Sequence, residues 1–226
     1  MDASAAEPVT LKVGDSQTVS GLFLHPGDAR ACYVFAHSAG AGMSHASMAS
    51  IATGLASRGI ATLRYQFPYM ERGSKRPDPP ALCHATIRAA VAMARKLAPS
   101  LPLFAGGRSF GGRMTSQTQA IDPLPDIRAL VFLAFPLHPA GKPGIDRAQH
   151  LADVKLPMLF VQGTNDDLAS LDLLQPIVTR LAPRATLHLL QDADHSFHVP
   201  ARSGRKDAQV LDEALDAVSA WLQPLL

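Results

Sequence analysis

The sequence predicts an α/β fold, one mostly parallel sheet of about eight strands with helices on both faces. Three observations carry that expectation. Short apolar, β-branched or aromatic runs alternate with longer segments of helical period, which is the signature of repeated βα units. The chain has 226 residues, 47% of them hydrophobic, enough to bury a full core as a single domain over residues 1–226. The first two strand patterns meet at Gly14-Asp15, a hairpin signal, so the sheet should begin antiparallel and become parallel from its third strand.

In chain order, the strand patterns are Val9 to Val13, Thr18 to Leu24, Ala31 to Ala36, Ile60 to Tyr65, Leu101 to Ala105, Ala129 to Leu133, Met158 to Gln162 and Thr186 to Leu190. Helical patterns fall at Met48 to Ser57, Ala81 to Leu97, Arg113 to Ala120, Arg147 to Val154, Leu171 to Leu181 and Lys206 to Leu222. The last is the clearest, because Val210, Leu211, Leu215, Val218 and Leu222 recur at steps of three or four with acids on the other faces. Proline and glycine content marks Pro68 to Pro80 and Pro136 to Gly144 as loops after strand ends.

Composition excludes several classes of function. A formal charge of +2 with scattered lysines and arginines offers no basic stripe for a nucleic-acid backbone. No run approaches the roughly 20 apolar residues of a membrane span, and Met1 to Pro8 lack the charged and apolar regions of a secretory leader. A soluble, cytoplasmic protein with no nucleic-acid or membrane partner is expected; its oligomeric state is left open. The two cysteines, Cys32 and Cys83, are too few for a disulfide framework and read as reduced and buried.

The chemistry centres on Gly107-Arg108-Ser109-Phe110-Gly111, a G-x-S-x-G match that follows a strand pattern and precedes a helical one. In a nucleophile elbow the serine occupies a strained turn. Small residues two before and two after it let the backbones approach without Cβ clashes. Ser109 is therefore the expected nucleophile, with the Phe110 amide at the helix start aimed at a developing oxyanion. A serine needs a base oriented by a carboxylate, and in this arrangement the chain order is serine, acid, histidine. The strand ending in Gly163-Thr164-Asn165-Asp166-Asp167 supplies Asp166 as the preferred acid and Asp167 as its rival. His195, in the first loop after the last strand, is the expected base, and His198 is a weaker candidate. His188 reads as a strand residue, His84 as helical, and His25 and His150 as surface residues. The loop His37-Ser38-Ala39-Gly40-Ala41-Gly42-Met43 follows the third strand, where the second oxyanion amide is expected, from Ala39.

Other readings of these residues are weaker. Asp192, Asp194, His195 and His198 lack the spacing of a metal set, so no metal and no cofactor is expected. The glycine-rich loop after the third strand lacks the Lys-Ser or Lys-Thr pair of a phosphate-binding loop.

With these motifs in place, the sequence resembles the α/β-hydrolase superfamily. Within it, the chain is similar to the small dienelactone-hydrolase-like group, whose members carry an HGAGAG-type loop after the third strand. The likeness spans nearly the whole chain: HSAGAGM at His37, GGRSFGGRM at Gly106, QGTNDD at Gln162 and DADHSFHVPARSGR at Asp192. The resemblance implies an α/β-hydrolase fold and a general serine-hydrolase apparatus. It argues against dienelactone hydrolysis itself, because the elbow carries serine where true dienelactone hydrolases carry cysteine. Ser38 stands where the group has glycine, so either its hydroxyl assists at the oxyanion hole or the loop is less open. The broad group also includes noncatalytic subunits, which makes a binding or scaffold protein the competing class.

The span from Phe135 to Leu156 is too short for the lid domain that many superfamily members insert there. An open site suits a small acyl substrate. Ser38 and Arg108 are the candidate substrate contacts, with Arg202, Arg205 and Lys206 as further cations that could favour an anionic one. The expected activity is hydrolysis of a carboxylic ester or thioester through an acyl-enzyme on Ser109.

Overall fold

The computed structural model describes residues 5–15 and 17–226; the start of the segment read above for a leader, residues 1–4, lies outside it. Eight strands form one sheet: β1 (Glu7–Val13), β2 (Gln17–Leu24), β3 (Ala31–Ala36), β4 (Ile60–Tyr65), β5 (Leu103–Arg108), β6 (Ile127–Leu133), β7 (Met158–Gly163) and β8 (Ala185–Leu190). Their spatial order is β1-β2-β4-β3-β5-β6-β7-β8. The β1–β2 and β2–β4 pairs are antiparallel, and every pair from β3–β4 onward is parallel. The central strands β3, β4, β5 and β7 are buried along their whole length, as strands covered on both faces must be.

Two apolar layers enclose this sheet. On one face α1 (Ala46–Ala56) and α6 (Asp207–Leu222) bury Met48, Ile51 and Leu55 with Val210, Leu215, Val218 and Leu222. On the other, α3 (Pro80–Leu97), α4 (Phe110–Ile121) and α5 (Leu171–Arg180) bury Ile87, Val91, Met114, Leu174 and Ile177. Between β6 and β7 there is loop and one 3₁₀ segment, Asp146–Ala152, so no lid covers the C-terminal end of the sheet. Among the described residues no helix is long and apolar enough to cross a membrane. Cys32 and Cys83 are free and buried, and burial pushes each thiol up to about 12.

The differences from the sequence expectations are local. Strand β5 runs through Gly106 and Gly107 to Arg108, two glycines that read as the start of a turn. Gly106 has φ +151°, and a Cβ there would lie 1.8 Å from the Val131 carbonyl oxygen, so glycine is what allows the strand to continue. Helix α4 begins at Phe110 rather than Arg113, because packing against the sheet outweighs the low helix propensity of Gly111 and Gly112. The predicted helix at Arg147 to Val154 is the 3₁₀ segment. The Pro68 to Pro80 loop opens with a single turn, α2 (Pro68–Glu71), that buries Tyr69.

Candidate active site

Ser109 sits at the junction of β5 and α4 with φ 50° and ψ −117°, a region that costs a non-glycine residue on the order of 1–3 kcal/mol and persists only when its surroundings enforce it. Here they do. The Ser109 amide donates to Leu133 O (2.9 Å), at the end of β6, and its carbonyl accepts from Arg113 N (3.1 Å) in the first turn of α4. On either side the chain passes so close to β3 that a Cβ at Gly107 would be 2.5 Å, and at Gly111 2.6 Å, from the Ala36 carbonyl oxygen. The flanking glycines are thus a steric requirement of the turn.

The acid and base loops converge on the Ser109 hydroxyl. His195 Nε2 is 2.8 Å from Ser109 Oγ, and His195 Nδ1 is 2.7 Å from Asp166 Oδ2. A carboxylate only accepts, so Nδ1 carries the proton in the neutral ring, and Nε2 is left to accept from the serine hydroxyl. The Asp166 side chain is wholly buried while that of His195 is 21% exposed. Gln162 Nε2 donates to Asp166 Oδ2 (2.5 Å) and the Leu168 amide to Oδ1 (2.8 Å). Both carboxylate oxygens are therefore held. Asp167, the rival acid, is exposed on the outside of the same turn. His198 faces away and pairs with Asp207 (2.9 Å), which raises its pKa.

The two loops are joined to each other as well. Asn165 N donates to Ala193 O (2.9 Å), Asp192 N to Thr164 Oγ1 (2.8 Å) and Asn165 Nδ2 to Asp192 O (3.0 Å). The approach is so close that a Cβ on Gly163 would lie 2.2 Å from Ala193 O. Asp194 closes the base loop by accepting from the amides of Ser196 and His198.

Two backbone amides are the expected oxyanion donors, those of Phe110 and Ala39. Phe110 is the first residue of α4, so its N–H has no acceptor within the helix. In the loop after β3, the Ser38 carbonyl lies 2.7 Å from His37 Nδ1 and 3.4 Å from Ala41 N. A trans peptide sets its N–H opposite its C=O, which turns the Ala39 amide away from both. His37 is fully buried, and its Nε2 accepts from Phe67 N (3.0 Å), so Nδ1 is the protonated nitrogen that donates to Ser38. Burial lowers its pKa to about 4, keeping the ring neutral. Tyr69 Oη donates to Ala39 O (2.9 Å) and holds the next peptide.

Arg108 is 8% exposed, with its guanidinium carbon 5.4 Å from the Phe197 ring centroid. Burial lowers its pKa, against the opposing charges of Asp194 and Asp166. Arg205 is paired with Glu213, and Arg202 and Lys206 are exposed. His150, read as a surface residue, is half-buried with Nε2 2.7 Å from Ser116 Oγ. Sequence reasoning did not find Gln162, His37, Tyr69 or Phe197 as supports of the site. Their signal is tertiary, since each acts through a loop distant in the chain. A concavity of about 880 Å³ between β8 and α6 is lined by residues such as Leu187 and Trp221 and shares none with this site.

Comparison with solved structures finds the same architecture repeatedly. A dienelactone hydrolase from Anabaena variabilis superposes with a TM-score of 0.76 at 21% identity, covering 96% of each chain. A lidless α/β serine hydrolase from Xanthomonas campestris gives 0.73 at 21% identity over 96% of this chain and 95% of the other. An esterase domain from Rhodothermus marinus gives 0.73 at 16% identity over 97% and 98%. At these identities the likeness concerns the fold. The sequence itself matches the family described as Alpha/beta hydrolase domain over residues 29–223, most of the chain, and the protein therefore belongs to that α/β-hydrolase family.

Proposed function

We propose that this hydrolase is a serine esterase that cleaves a carboxylic ester or thioester of a small acyl substrate through an acyl-enzyme on Ser109. The observation that carries the reading is the hydrogen-bonded series from Ser109 Oγ through His195 to the buried Asp166 carboxylate. In the first step His195 Nε2 takes the hydroxyl proton as Ser109 Oγ bonds to the carbonyl carbon, and the carbonyl π electrons move onto its oxygen. The amides of Phe110 and Ala39 donate to that oxyanion. Asp166 stabilises the imidazolium without taking its proton. His195 then protonates the leaving oxygen or sulfur as its bond to carbon breaks, leaving the acyl group on Ser109. Water adds in the same way, giving its proton to His195, and releases the acid.

The buried, neutral His37 fixes the Ser38–Ala39 peptide through its hydrogen bond to Ser38, and so serves as a positioning residue for the oxyanion donor. Ser38, half-buried beside that peptide, is the proposed hydroxyl contact to substrate. Arg108 fits better as a support of the base loop, through Phe197, than as a direct substrate contact. The open end of the sheet favours short acyl groups over long lipid chains, and the HSAGAGM loop and serine elbow support a reading of the chain as similar to the dienelactone-hydrolase-like group, without that group's cysteine.

A panel of p-nitrophenyl esters of increasing acyl length, with an acyl-CoA thioester and an amide, tests the activity, alongside labelling by a fluorophosphonate probe. Short esters should be preferred, and labelling should vanish in Ser109→Ala. Labelling that survives Ser109→Ala, or a wild type that neither labels nor turns over, would contradict the assignment and favour a binding protein.

A further inference from the structure

One turn along α4 lies a charged cluster that the Ser109 relay does not use. Arg113 follows the nucleophile by four residues, about 6 Å of axial rise. The first turn of α4 carries no acid, and the positive end of the helix dipole makes a cation there unfavourable. The Arg113 guanidinium carbon lies 5.6 Å from the Phe110 ring centroid, and its Nε is buried without a hydrogen-bond partner among the described residues. Arg147 stands one 3₁₀ turn before His150, and Arg113 one helical turn before Ser116, the residue that His150 Nε2 meets at 2.7 Å, so the two cations share this junction. Burial first and the Arg147 charge second lower the Arg113 pKa. Neither arginine forms an ion pair with a carboxylate among the described residues.

Asp153 is the acid that acts on this cluster, through His150, and it pairs with neither arginine among the described residues. Ser116 Oγ donates to the Arg113 carbonyl (2.9 Å), so its contact with His150 Nε2 is one it accepts, which leaves His150 as a neutral donor. Cys83, also near Arg113, is held as a thiol by burial. Partly desolvated guanidinium groups are costly without an anion, and two together match the oxygens of a carboxylate or phosphate.

We propose that Arg113 and Arg147 form a subsite for an anionic oxygen group, a carboxylate or a phosphate, carried on the acyl part of the substrate. The placement follows from Phe110, whose amide faces the reacting carbonyl in the proposed reaction and whose ring reaches Arg113. This inference rests on the hydrolase reading of Ser109 and makes the enzyme selective for acyl groups ending in an acid.

The test compares mono-p-nitrophenyl glutarate with its neutral methyl ester, which shares the reacting bond, in the wild type, Arg113→Gln, Arg147→Gln and the double variant. The wild type should favour the anionic ester in kcat/KM by about tenfold, the scale of one hydrogen bond to a charged group, and the ratio should approach unity in the double variant. Equal wild-type rates, or variants that slow both esters and keep the ratio, would overturn the subsite. Calorimetric titration with glutarate and with inorganic phosphate reads the subsite apart from turnover and separates the two chemistries. Binding of either that is lost in the double variant supports the subsite even if no ester is cleaved, a result that would instead sink the hydrolase reading. Absence of binding for both overturns it.

Discussion

Two clusters lie at the start of the same helix and differ in one respect. Around Ser109, His195 and Asp166 the polar atoms are matched: each carboxylate oxygen is held, the imidazole has a partner at both nitrogens, and the strained serine is tied to β6 through its amide. One turn on, Arg113 has a buried nitrogen without a partner among the described residues, at the junction with the 3₁₀ segment that carries Arg147. A matched cluster is complete before the substrate arrives, as preorganised catalysis requires. An unmatched one is finished by what binds, and in the proposed reaction the contrast would separate the machinery of reaction from the determinants of selectivity.

The largest effects should fall on the matched cluster. Asp166→Asn leaves the imidazole in the wrong tautomer and should cost about 10³–10⁴ in kcat, whereas Asp167→Asn, on the exposed side of the turn, should change it by less than about twofold. Steady-state kinetics on a short p-nitrophenyl ester reads both, and comparable losses would remove the distinction between the two carboxylates.

Next in size is the junction between the acid and base loops. Gly163→Ala sets a Cβ against the Ala193 carbonyl and should destabilise the fold by about 1–3 kcal/mol or more. Gly144→Ala, which meets nothing within 4 Å, should stay within about 0.5 kcal/mol. Urea denaturation distinguishes them, and equal midpoints would mean that the two loops are not locked together.

Acidification probes the support of the proposed oxyanion loop. His37 has a folded pKa of about 4 against an ordinary value of 6.5, so the unfolded chain binds the additional proton. Its contribution is complete above about pH 6.5 and is lost as pH falls through 4, on the order of 3 kcal/mol in all. His150, lowered to about 4 by burial first and Arg113 second, has the same sign. Thermal melts between pH 7 and 4 should show midpoints falling steadily; a flat profile would contradict the neutral, buried state of both rings. The smallest expected effect is the roughly tenfold change in anionic preference at Arg113 and Arg147.

The sheet and the relay were legible because each depends on features written locally. Alternating βα patterns, glycines flanking Ser109, and an acid and a histidine each following a strand point to one architecture and one chain order. What was not legible depends on neighbours distant in sequence. Gly106 reads as a turn, yet extends β5 because Val131 approaches so closely; His150 reads as surface until α4 brings Ser116 to it. The same holds for Arg113, an ordinary helical arginine in the sequence, whose lack of an acid becomes visible only when α4 and the 3₁₀ segment are side by side.

In the proposed reaction Ser109 carries the acyl group. Rapid mixing with p-nitrophenyl acetate, followed by acid quench and peptide mass mapping, tests it directly. A p-nitrophenolate burst approaching the enzyme concentration is expected, with an acetyl adduct on the peptide containing Ser109. No burst and no adduct, or an adduct on another residue that persists in Ser109→Ala, would contradict it.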